Sequence, residues 1–318
     1  MRAMVLPEFG EPNLFEEQDV ERPEPGPGEV LVRVVASGTN PVDALLRANG
    51  SAMGLETPAI LGADVSGVVE EVGAGVEEFG PGDEVYYTPE IFGPGSNGGY
   101  AEYHVVSADI VAEKPASLSH EEAAAVPLAG GTAWEALVRR LAVGVGETVL
   151  IQGGAGGVGS FAVQIAHASG ARVIASAGTD NQQTLKDLGA DMAVDYTQQD
   201  ISEVVLEDTG GIGVDAVFDT VGGDTIVNSL SCTRPFGRLA TILGPQGDLT
   251  PLYMNNQALY GVFLTRERER LEEMSLLIER RQMRPIVDEV LDLSGVRKAH
   301  ERLDSGHGRG KVILRVAD

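Results

Sequence analysis

Three glycines have the spacing that dinucleotide-binding turns require. Gly154, Gly156 and Gly159 satisfy the pattern G-x-G-x-x-G, after the predicted strand Thr148–Gln152 and at the start of the predicted helix Val158–Ser169. A β-carbon at these positions would block the tight turn, the approach of a pyrophosphate or the packing of helix on strand. The helix amino terminus offers free N–H groups and a positive dipole to phosphate oxygens. The residues predicted to contact the pyrophosphate are Gly154, Gly156, Gly157, Val158 and Gly159.

The end of the next predicted strand indicates which dinucleotide binds. Ser176 lies 20 residues after Gly156, where NAD enzymes usually carry an Asp or Glu for the ribose 2′-hydroxyl. A serine avoids repulsion of a 2′-phosphate, which favours NADPH. The segment from Val173 to Leu185 contains no Lys or Arg, so NADH stays an alternative. The residues predicted to meet this end of the cofactor are Ser176, Gly178, Thr179 and Asn181.

The surrounding sequence supplies elements that could position this turn. From about residue 146, short apolar strands alternate with helical stretches, as βαβ units and a doubly wound parallel sheet require. The strands are predicted at Thr148–Gln152, Arg172–Ser176, Met192–Asp195, Val214–Asp219, Arg238–Leu243 and Tyr260–Leu264. This part of the chain is therefore predicted to have an α/β fold.

The first third of the chain has short β-type runs separated by Gly and Pro, which predicts a small β-barrel or sandwich. Its strands are predicted at Glu29–Val35, Ser66–Val72, Glu84–Tyr87 and Tyr100–Val106. Ser119 and Glu122 have the spacing of a capping box at a helix start. After the charged predicted helix Glu267–Arg281, the tail Lys311–Val316 is predicted to form a strand that rejoins this β domain.

Composition limits the class of protein. The 318 residues include 48 acidic and 23 basic side chains, and a net charge of −25 repels nucleic acids and anionic membranes. No apolar run approaches the roughly 20 residues of a membrane helix, and residues 1–10 lack the layout of a signal peptide. We therefore expect a cytoplasmic protein. Because no single acidic tail accounts for the charge, we also hypothesise adaptation to a salt-rich cytoplasm.

With these residues in view, nearly the whole chain resembles the zinc-free quinone oxidoreductase (zeta-crystallin-like) branch of the medium-chain dehydrogenase/reductase superfamily. The motifs that carry the resemblance are Ser37–Asp43, Gly62–Gly73, Gly98–Tyr103, Gly146–Gly170, Leu188–Asp191 and Gly310-Lys311. The resemblance implies a GroES-like catalytic domain from residues 1–124 and 265–318. It also implies a Rossmann domain from residues 125–264, with nicotinamide in a cleft between the two domains.

The resemblance also implies that no metal takes part. The zinc branch places Cys, His and Cys at positions that correspond to Asn40, Ala63 and Leu128, and alanine and leucine cannot bind a metal. The single cysteine, Cys232, is predicted to be a buried apolar residue. The histidines lack ligand-like spacing and are expected to be ordinary surface or hydrogen-bonded residues, namely His104, His120, His167, His300 and His307.

Several substrate-side residues follow from the family alone. Asn40 is expected to donate a hydrogen bond to the acceptor oxygen and Asp43 to orient its neighbours, although loop capping is an alternative role for both. Thr132 is expected beside the nicotinamide, the alternative being the start of a helix Ala133–Arg139. Backbone groups expected to meet the carboxamide, or else to pack at a sheet end, belong to Leu243, Gly244, Phe263 and Leu264.

The reaction implied is hydride transfer from NADPH to a quinone or another conjugated carbonyl compound. The family often has an aromatic residue at the position where this chain has Leu45, and related enoyl-thioester reductases use a nearby Tyr as proton donor. The first tyrosine of this chain is Tyr86, so it has neither residue. An apolar substrate would contact Leu45, Leu46, Met53 and Phe92, for which core packing is the alternative. The alternative functions are an enoyl-thioester reductase and a non-enzymatic NADPH-binding protein. A homodimer through Tyr260–Leu264 is also expected from the family.

Overall fold

The structure is a computed structural model that describes residues 1–306 and 308–317. Its strands are β1 (Arg2–Leu6), β2 (Glu16–Asp19), β3 (Glu29–Gly38), β4 (Ala59–Ile60), β5 (Asp64–Val72), β6 (Glu84–Tyr87), β7 (Tyr103–Ser107), β8 (Ala112–Glu113), β9 (Thr148–Gln152), β10 (Arg172–Ala177), β11 (Met192–Asp195), β12 (Val214–Asp219), β13 (Thr233–Thr241), β14 (Ala258–Gly261), β15 (Val287–Asp292) and β16 (Lys311–Arg315). The prediction for His307 lies outside the described residues.

The helices alternate with these strands along much of the chain. They are α1 (Pro41–Asn49), α2 (His120–Ala123), α3 (Pro127–Trp134), α4 (Gly157–Ala168), α5 (Gln182–Asp187), α6 (Ile201–Asp208), α7 (Thr225–Asn228), α8 (Thr250–Met254), α9 (Arg268–Glu279) and α10 (Val296–Ser305). Helix α3 continues directly into a π-helical turn, Glu135–Arg140. Within the described ranges, no helix has both the length and the apolar character needed to cross a bilayer.

The chain forms two compact units. The first unit consists of Met1–Ala129, Thr265–Arg281 and Pro285–Asp318, and the second of Gly130–Leu264 and Gln282–Arg284.

The second unit has a six-stranded sheet in the order β11-β10-β9-β12-β13-β14. All neighbouring strands are parallel, and the order reverses direction between β9 and β12, as in a doubly wound dinucleotide-binding sheet. Leu150, Ile174, Val217 and Leu239 lie in one buried apolar cluster, which removes the middle of the sheet from water. The predicted Rossmann sheet is therefore confirmed.

The first unit is built mostly on antiparallel strand pairs, with β15 parallel to β16. Its larger sheet has the order β15-β16-β3-β5-β6-β8, with β7 also paired to β3, and a smaller sheet has the order β2-β1-β4. The last strand, β16, is antiparallel to β3, with Ile313 opposite Gly38. Ile313 packs with Ala36 in a buried cluster. The prediction that the tail rejoins the β domain as a strand is confirmed.

Several predicted boundaries differ from the structure. Helix α3 starts at Pro127 rather than at Ala133, because proline fits the first turn of a helix and because Gly130 and Gly131 are buried within the helix rather than forming a turn before it. Strand β13 starts at Thr233 and ends at Thr241, with a register irregularity against β12, and β14 ends at Gly261 rather than at Leu264.

Two local predictions are confirmed. The backbone N–H of Glu122 donates to Oγ of Ser119 (3.2 Å), and the Glu122 carboxylate accepts the N–H of Ser119 (2.9 Å), which completes the capping box of α2. Cys232 is buried, and burial raises the pKa of its thiol.

Candidate active site

The glycine turn lies between β9 and α4. Gly153 has φ of +74°, the left-handed region that glycine adopts without strain. A β-carbon at Gly159 would lie 2.1 Å from the carbonyl oxygen of Gly153, whereas one at Gly156 would meet no atom closer than 3.3 Å. Gly159 therefore permits close packing of α4 on the turn. A β-carbon at Gly156 would be a tight contact as well, so the absence of side chains at both positions keeps the backbone of the turn accessible to a phosphate.

Helix α4 presents its amino terminus at this turn. Gly157 and Val158 form its first residues after the N-cap Gly156, and no side chain of the described residues caps it. The N–H groups of a first helical turn have no partner within the helix, and the helix dipole adds positive potential there. These backbone groups suit the pyrophosphate of a dinucleotide, so the local structure fits the predicted cofactor.

The end of β10 is hydrogen-bonded to the glycine turn. Oγ of Ser176 accepts the N–H of Gly153 (3.3 Å), and its carbonyl oxygen accepts the N–H of Gly154 (2.8 Å). Ser176 is buried, so the structure gives it a supporting role in the turn rather than the solvent-facing position that direct contact with a 2′-phosphate requires. The spacing identified Ser176 as the residue at this point of the chain, but it could not predict that the side chain is buried.

The loop after β10 is tied to the end of β11. Gly178 and Asn181 bracket a short turn, with the N–H of Asn181 bonded to the carbonyl oxygen of Gly178 (3.0 Å). The hydroxyl of Thr179 donates to Asp195 (2.6 Å), and this hydrogen bond, followed by one from Thr197, lowers the pKa of Asp195. The carboxylate of Asp195, which was not among the predicted site residues, thus lies beside Thr179, one of the predicted contacts for the adenosine ribose.

A buried aspartate fixes the next loop along the carboxyl edge of the sheet. Asp219, at the end of β12, accepts hydrogen bonds from the N–H of Val221 (3.0 Å), Oγ1 of Thr225 (2.8 Å) and Oγ1 of Thr241 (3.0 Å). The hydroxyl of Thr220 donates to the carbonyl oxygen of Gln152 (2.7 Å). These bonds join the ends of β9, β12 and β13, the edge where ligands bind in open α/β sheets.

The remaining predicted cofactor contacts follow the same sheet edge. Leu243 is half-exposed, its N–H bonds to Oγ1 of Thr241 (3.2 Å), and Gly244 follows it. Phe263 is exposed and, with Leu264, comes after the end of β14. Thr132 is buried within α3, so its alternative role at a helix start is wrong. The predicted contacts of these residues with nicotinamide stay predictions.

In the first unit, a buried carboxylate collects four hydrogen bonds. Oδ1 of Asp64 accepts the N–H of Leu128 (2.7 Å) and Oγ1 of Thr88 (3.5 Å). Its Oδ2 accepts Nδ2 of Asn40 (2.9 Å) and Nζ of Lys311 (3.2 Å). Two of the three positions that correspond to zinc ligands, Asn40 and Leu128, thus donate to one carboxylate. Asp64 and Lys311 belong to the motifs that carry the family resemblance, but the sequence alone indicates no role for either.

Asn40 and Asp43 are both buried in this unit. The carboxylate of Asp43 accepts the N–H of Asn40 (2.8 Å) and the N–H of Gly62 (3.2 Å), so it fixes the start of α1 to the segment before β5. Burial raises the pKa of Asp43 to about 7, while the bond from Asn40 opposes the rise. Asp43 therefore holds backbone groups together, and the donor role of Asn40 stays a prediction.

The predicted apolar lining divides between core and surface. Leu46 is fully buried, whereas Leu45, one position earlier on α1, is half-exposed.

His104 is a buried histidine with hydrogen-bond partners in the protein. Its ring nitrogens are hydrogen-bonded to the hydroxyl of Tyr87 and the carbonyl oxygen of Asn97, and burial lowers its pKa to about 4. Across residues 1–306 and 308–317, no group of three or more His, Cys, Asp or Glu side chains is arranged to hold a metal ion.

Two family models match the chain. Residues 26–116 match the alcohol dehydrogenase GroES-like domain, and residues 157–280 match the family described as zinc-binding dehydrogenase. Together they cover most of the chain and fall on the two kinds of fold described above.

Relatives match over nearly the full length. The NADPH-dependent alkenal/one oxidoreductase (chloroplastic) of Arabidopsis thaliana is 33% identical, with 99% of this chain and 79% of that protein covered. A quinone oxidoreductase of Pseudomonas aeruginosa is also 33% identical, with 96% and 97% covered. Among solved structures, a mycobacterial protein complexed with NADPH has a TM-score of 0.89 at 33% identity and covers 99% of this chain and 100% of its own.

The chain belongs to the medium-chain dehydrogenase/reductase superfamily, with a GroES-like domain and a Rossmann domain. Within that superfamily it belongs to the quinone oxidoreductase branch and is an NADPH-dependent oxidoreductase. The predicted family, enzyme class and cofactor are therefore confirmed.

The close approach at Gly159 gives a first test of the cofactor site. In Gly159→Ala, the new methyl group must push α4 away from the Gly153 carbonyl, so we expect the Kd for NADPH to rise about tenfold or more, since overpacking costs about 1–3 kcal/mol. Isothermal titration calorimetry measures the change. Gly144→Ala is the matched control, because a β-carbon there meets no atom within 4 Å. Wild-type affinity in Gly159→Ala would contradict the site.

The raised pKa of Asp43 predicts a pH-dependent stability. The folded carboxyl titrates near 7 and the unfolded one near its ordinary value of 3.8, so the folded state binds more protons between these values. The stability contribution of this carboxyl therefore falls as pH rises from about 4 to about 7. We expect the melting temperature of the wild type minus that of Asp43→Asn to be larger at pH 5 than at pH 8.

Thermal melts of both proteins at the two pH values measure this difference. Asp19→Asn, which removes an exposed carboxylate from β2, is the control variant. A difference between wild type and Asp43→Asn that is the same at pH 5 and pH 8 would contradict the raised pKa, because it would show that the buried carboxyl is already ionised at pH 5.

Proposed function

We propose that this enzyme transfers a hydride from NADPH to a quinone or another conjugated carbonyl compound without a metal ion. When bound, NADPH supplies the hydride. The sum for a quinone is one NADPH, one proton and one quinone giving NADP⁺ and one hydroquinone. The observation that carries the metal-free part of the proposal is the donor set around Asp64.

That donor set is suited to a carboxylate rather than to a cation. The N–H of Leu128 and Nδ2 of Asn40 both donate to Asp64, and the ammonium of Lys311 already supplies the balancing positive charge. A zinc ion needs lone pairs from Cys, His or a carboxylate, and a nearby ammonium opposes its charge. At the positions that correspond to zinc ligands, this chain has an amide and two aliphatic residues, Asn40, Ala63 and Leu128.

The proposed catalytic donor is the amide of Asn40. Its Nδ2 carries two hydrogens, of which the contact with Asp64 uses one. The other hydrogen could donate to an acceptor oxygen on which negative charge develops as the hydride arrives. The side chain is 1% exposed, and a donor shielded from water stabilises such charge more strongly than one in bulk solvent. Asp43 holds the backbone N–H of the same residue and is the proposed orienting group.

The proposed cofactor contacts are those of the glycine turn and the neighbouring loops. The turn from Gly154 to Gly159 would hold the pyrophosphate, and Gly178, Thr179 and Asn181 would adjoin the adenosine ribose. Leu243, Gly244, Phe263 and Leu264 would meet the nicotinamide side, with Thr132 as a further contact. Use of NADH stays a prediction. So do the assignment of residues 1–124 and 265–318 to the catalytic domain, a cytoplasmic location and salt adaptation.

A spectrophotometric assay tests the proposal. Protein dialysed against a chelator is mixed with NADPH and phenanthrenequinone, and the loss of reduced-nicotinamide absorbance is followed. We expect turnover that the chelator does not reduce, and a kcat about 10–100-fold lower in Asn40→Ala, because removing one donor to a developing oxyanion typically costs this much or more.

Each contrary outcome of this assay has one meaning. Activity that is lost on chelation and restored by zinc contradicts the metal-free reaction. A flat trace with the quinone, together with NADPH consumption by crotonyl-CoA, indicates an enoyl-thioester reductase. Flat traces with both acceptors, despite bound NADPH, indicate a non-enzymatic binding protein.

We also propose a homodimer through the β14 edge of the parallel sheet. Strand β14 is the last strand in the sheet order, so one side of its backbone has no strand neighbour among the described residues. Large apolar side chains beside this edge are exposed, namely Phe236, Tyr253 and Met254. The N–H of Phe236 bonds to the carbonyl oxygen of Asn255 (3.0 Å), which places these residues together. Pairing two such edges would cover both the backbone groups and the apolar side chains.

Light scattering after size exclusion tests the dimer. We expect a mass of two chains of 33.4 kDa each for the wild type, and a single-chain mass for the double variant Tyr253→Asp/Met254→Asp, because two buried carboxylates at the contact would disfavour pairing. Ile212→Asp, at an exposed apolar residue on another loop, should remain dimeric. A wild type that elutes as one chain in high salt rules the dimer out.

A further inference from the structure

Lys311 is a buried lysine at the start of β16 whose ammonium has a protein partner for each of its hydrogens. Its side chain is 5% exposed. Nζ donates to the carbonyl oxygen of Thr39 (2.8 Å), to Oδ1 of Asn40 and to Oδ2 of Asp64 (3.2 Å). An ammonium has three donors, so these contacts satisfy all of them. Because all three acceptors are fixed in the protein interior, the ammonium has one stable position.

The two charged neighbours of Asn40 determine how its amide is turned. An ammonium only donates, so the atom that faces Lys311 must be the carbonyl oxygen Oδ1. A carboxylate only accepts, so the atom that faces Asp64 must be the nitrogen Nδ2. A half-turn of the amide would set Nδ2 against the ammonium and Oδ1 against the carboxylate, which would replace two charge-assisted hydrogen bonds with two repulsions.

We propose that Lys311 is a positioning residue of the reaction, which fixes the amide of Asn40 so that its second Nδ2 hydrogen is held toward the acceptor oxygen. The inference rests on the proposed donor role of Asn40. Lys311 is proposed to act through Asn40 and not by contact with substrate or cofactor. Without it, Oδ1 of Asn40 loses its charged partner, Thr39 loses a backbone contact, and the amide can adopt other rotamers in which the donor is misdirected.

Steady-state kinetics of Lys311→Met test the inference. We expect kcat with NADPH and phenanthrenequinone to fall about tenfold or more, since misdirecting a donor loses much of its effect on developing charge, while the KM for NADPH changes less than about twofold.

Lys114→Met is the matched control. Lys114 is also 5% exposed, lies in the same unit, pairs with Glu84 (3.1 Å) and donates to the carbonyl oxygen of Leu118 (2.6 Å). Loss of its ammonium should lower the melting temperature and leave kcat unchanged. A matching fall in kcat for Lys114→Met would show that the effect comes from general destabilisation.

A double-mutant cycle separates this inference from the function on which it rests. If Lys311 acts through Asn40, Lys311→Met should lower kcat in the wild type but have no further effect in Asn40→Ala. An equal fall in both backgrounds, or no fall in the wild type, overturns the role of Lys311 while leaving the donor role of Asn40 intact. A wild-type kcat in Asn40→Ala overturns the donor role itself, and with it the inference.

A charge-balanced variant covers the case in which Lys311→Met does not fold. Lys311→Met/Asp64→Asn removes both members of the ion pair and leaves no buried charge without a partner. We expect this variant to fold with a lowered kcat. A wild-type kcat would overturn the inference, because the amide of Asn40 would then keep its function with neither charged neighbour present.

Discussion

The close approach of helix α4 to the carbonyl oxygen of Gly153 is the constraint on which the cofactor site depends. The 2.1 Å that would separate a β-carbon of Gly159 from that oxygen leaves no room for any side chain. Because the helix can sit this close, it begins at Gly157, only five residues after the end of β9, with its first N–H groups uncapped by any side chain of the described residues. Ser176 accepts an N–H of the turn itself, and Asp219 accepts the N–H of Gly222 in the neighbouring loop, so both residues hold backbone in place. The site is therefore made of backbone, and side chains serve to hold that backbone in place.

A buried charge pair has the corresponding role in the first unit. Asp64 lies at the start of β5 and Lys311 at the start of β16, and neither could stay charged in the interior without the other. Their contact joins strands β5 and β16 to Asn40, the residue before α1. Burial raises the pKa of Asp64, and the charge of Lys311 opposes this rise. Removing one partner of such a pair typically costs about 3–5 kcal/mol, so the pair also contributes to the stability of the unit.

Much of the second unit could be predicted from local sequence. The strands Thr148–Gln152, Met192–Asp195 and Val214–Asp219 have the predicted bounds because each is a short apolar run between turn residues. The glycine turn was predictable for the same reason, since its spacing is local. Strand β13 was predicted too short at its start, because Pro235 and Gly237 interrupt its apolar pattern and the register shifts there.

The charged cluster could not be predicted, because its members are distant in sequence. Lys311 is 247 residues from Asp64 and 271 from Asn40. The antiparallel pairing of β3 with both β16 and β5 brings them together. Residue type identified Asn40 as a hydrogen-bonding side chain but not its partners. The burial of Ser176 was also not predicted, because a serine at the end of a strand gives the same sequence pattern whether its side chain faces solvent or the turn.

Hydrogen–deuterium exchange with and without NADPH shows whether the glycine turn holds the cofactor, because it reports on individual backbone segments of the folded wild-type protein. If the backbone of the glycine turn and the first turn of α4 hold the pyrophosphate, NADPH should slow exchange in residues 153–160 and in the loop 177–181. Saturating NADPH that leaves exchange in residues 153–160 unchanged, or that protects only other segments, would show that this turn does not hold the pyrophosphate.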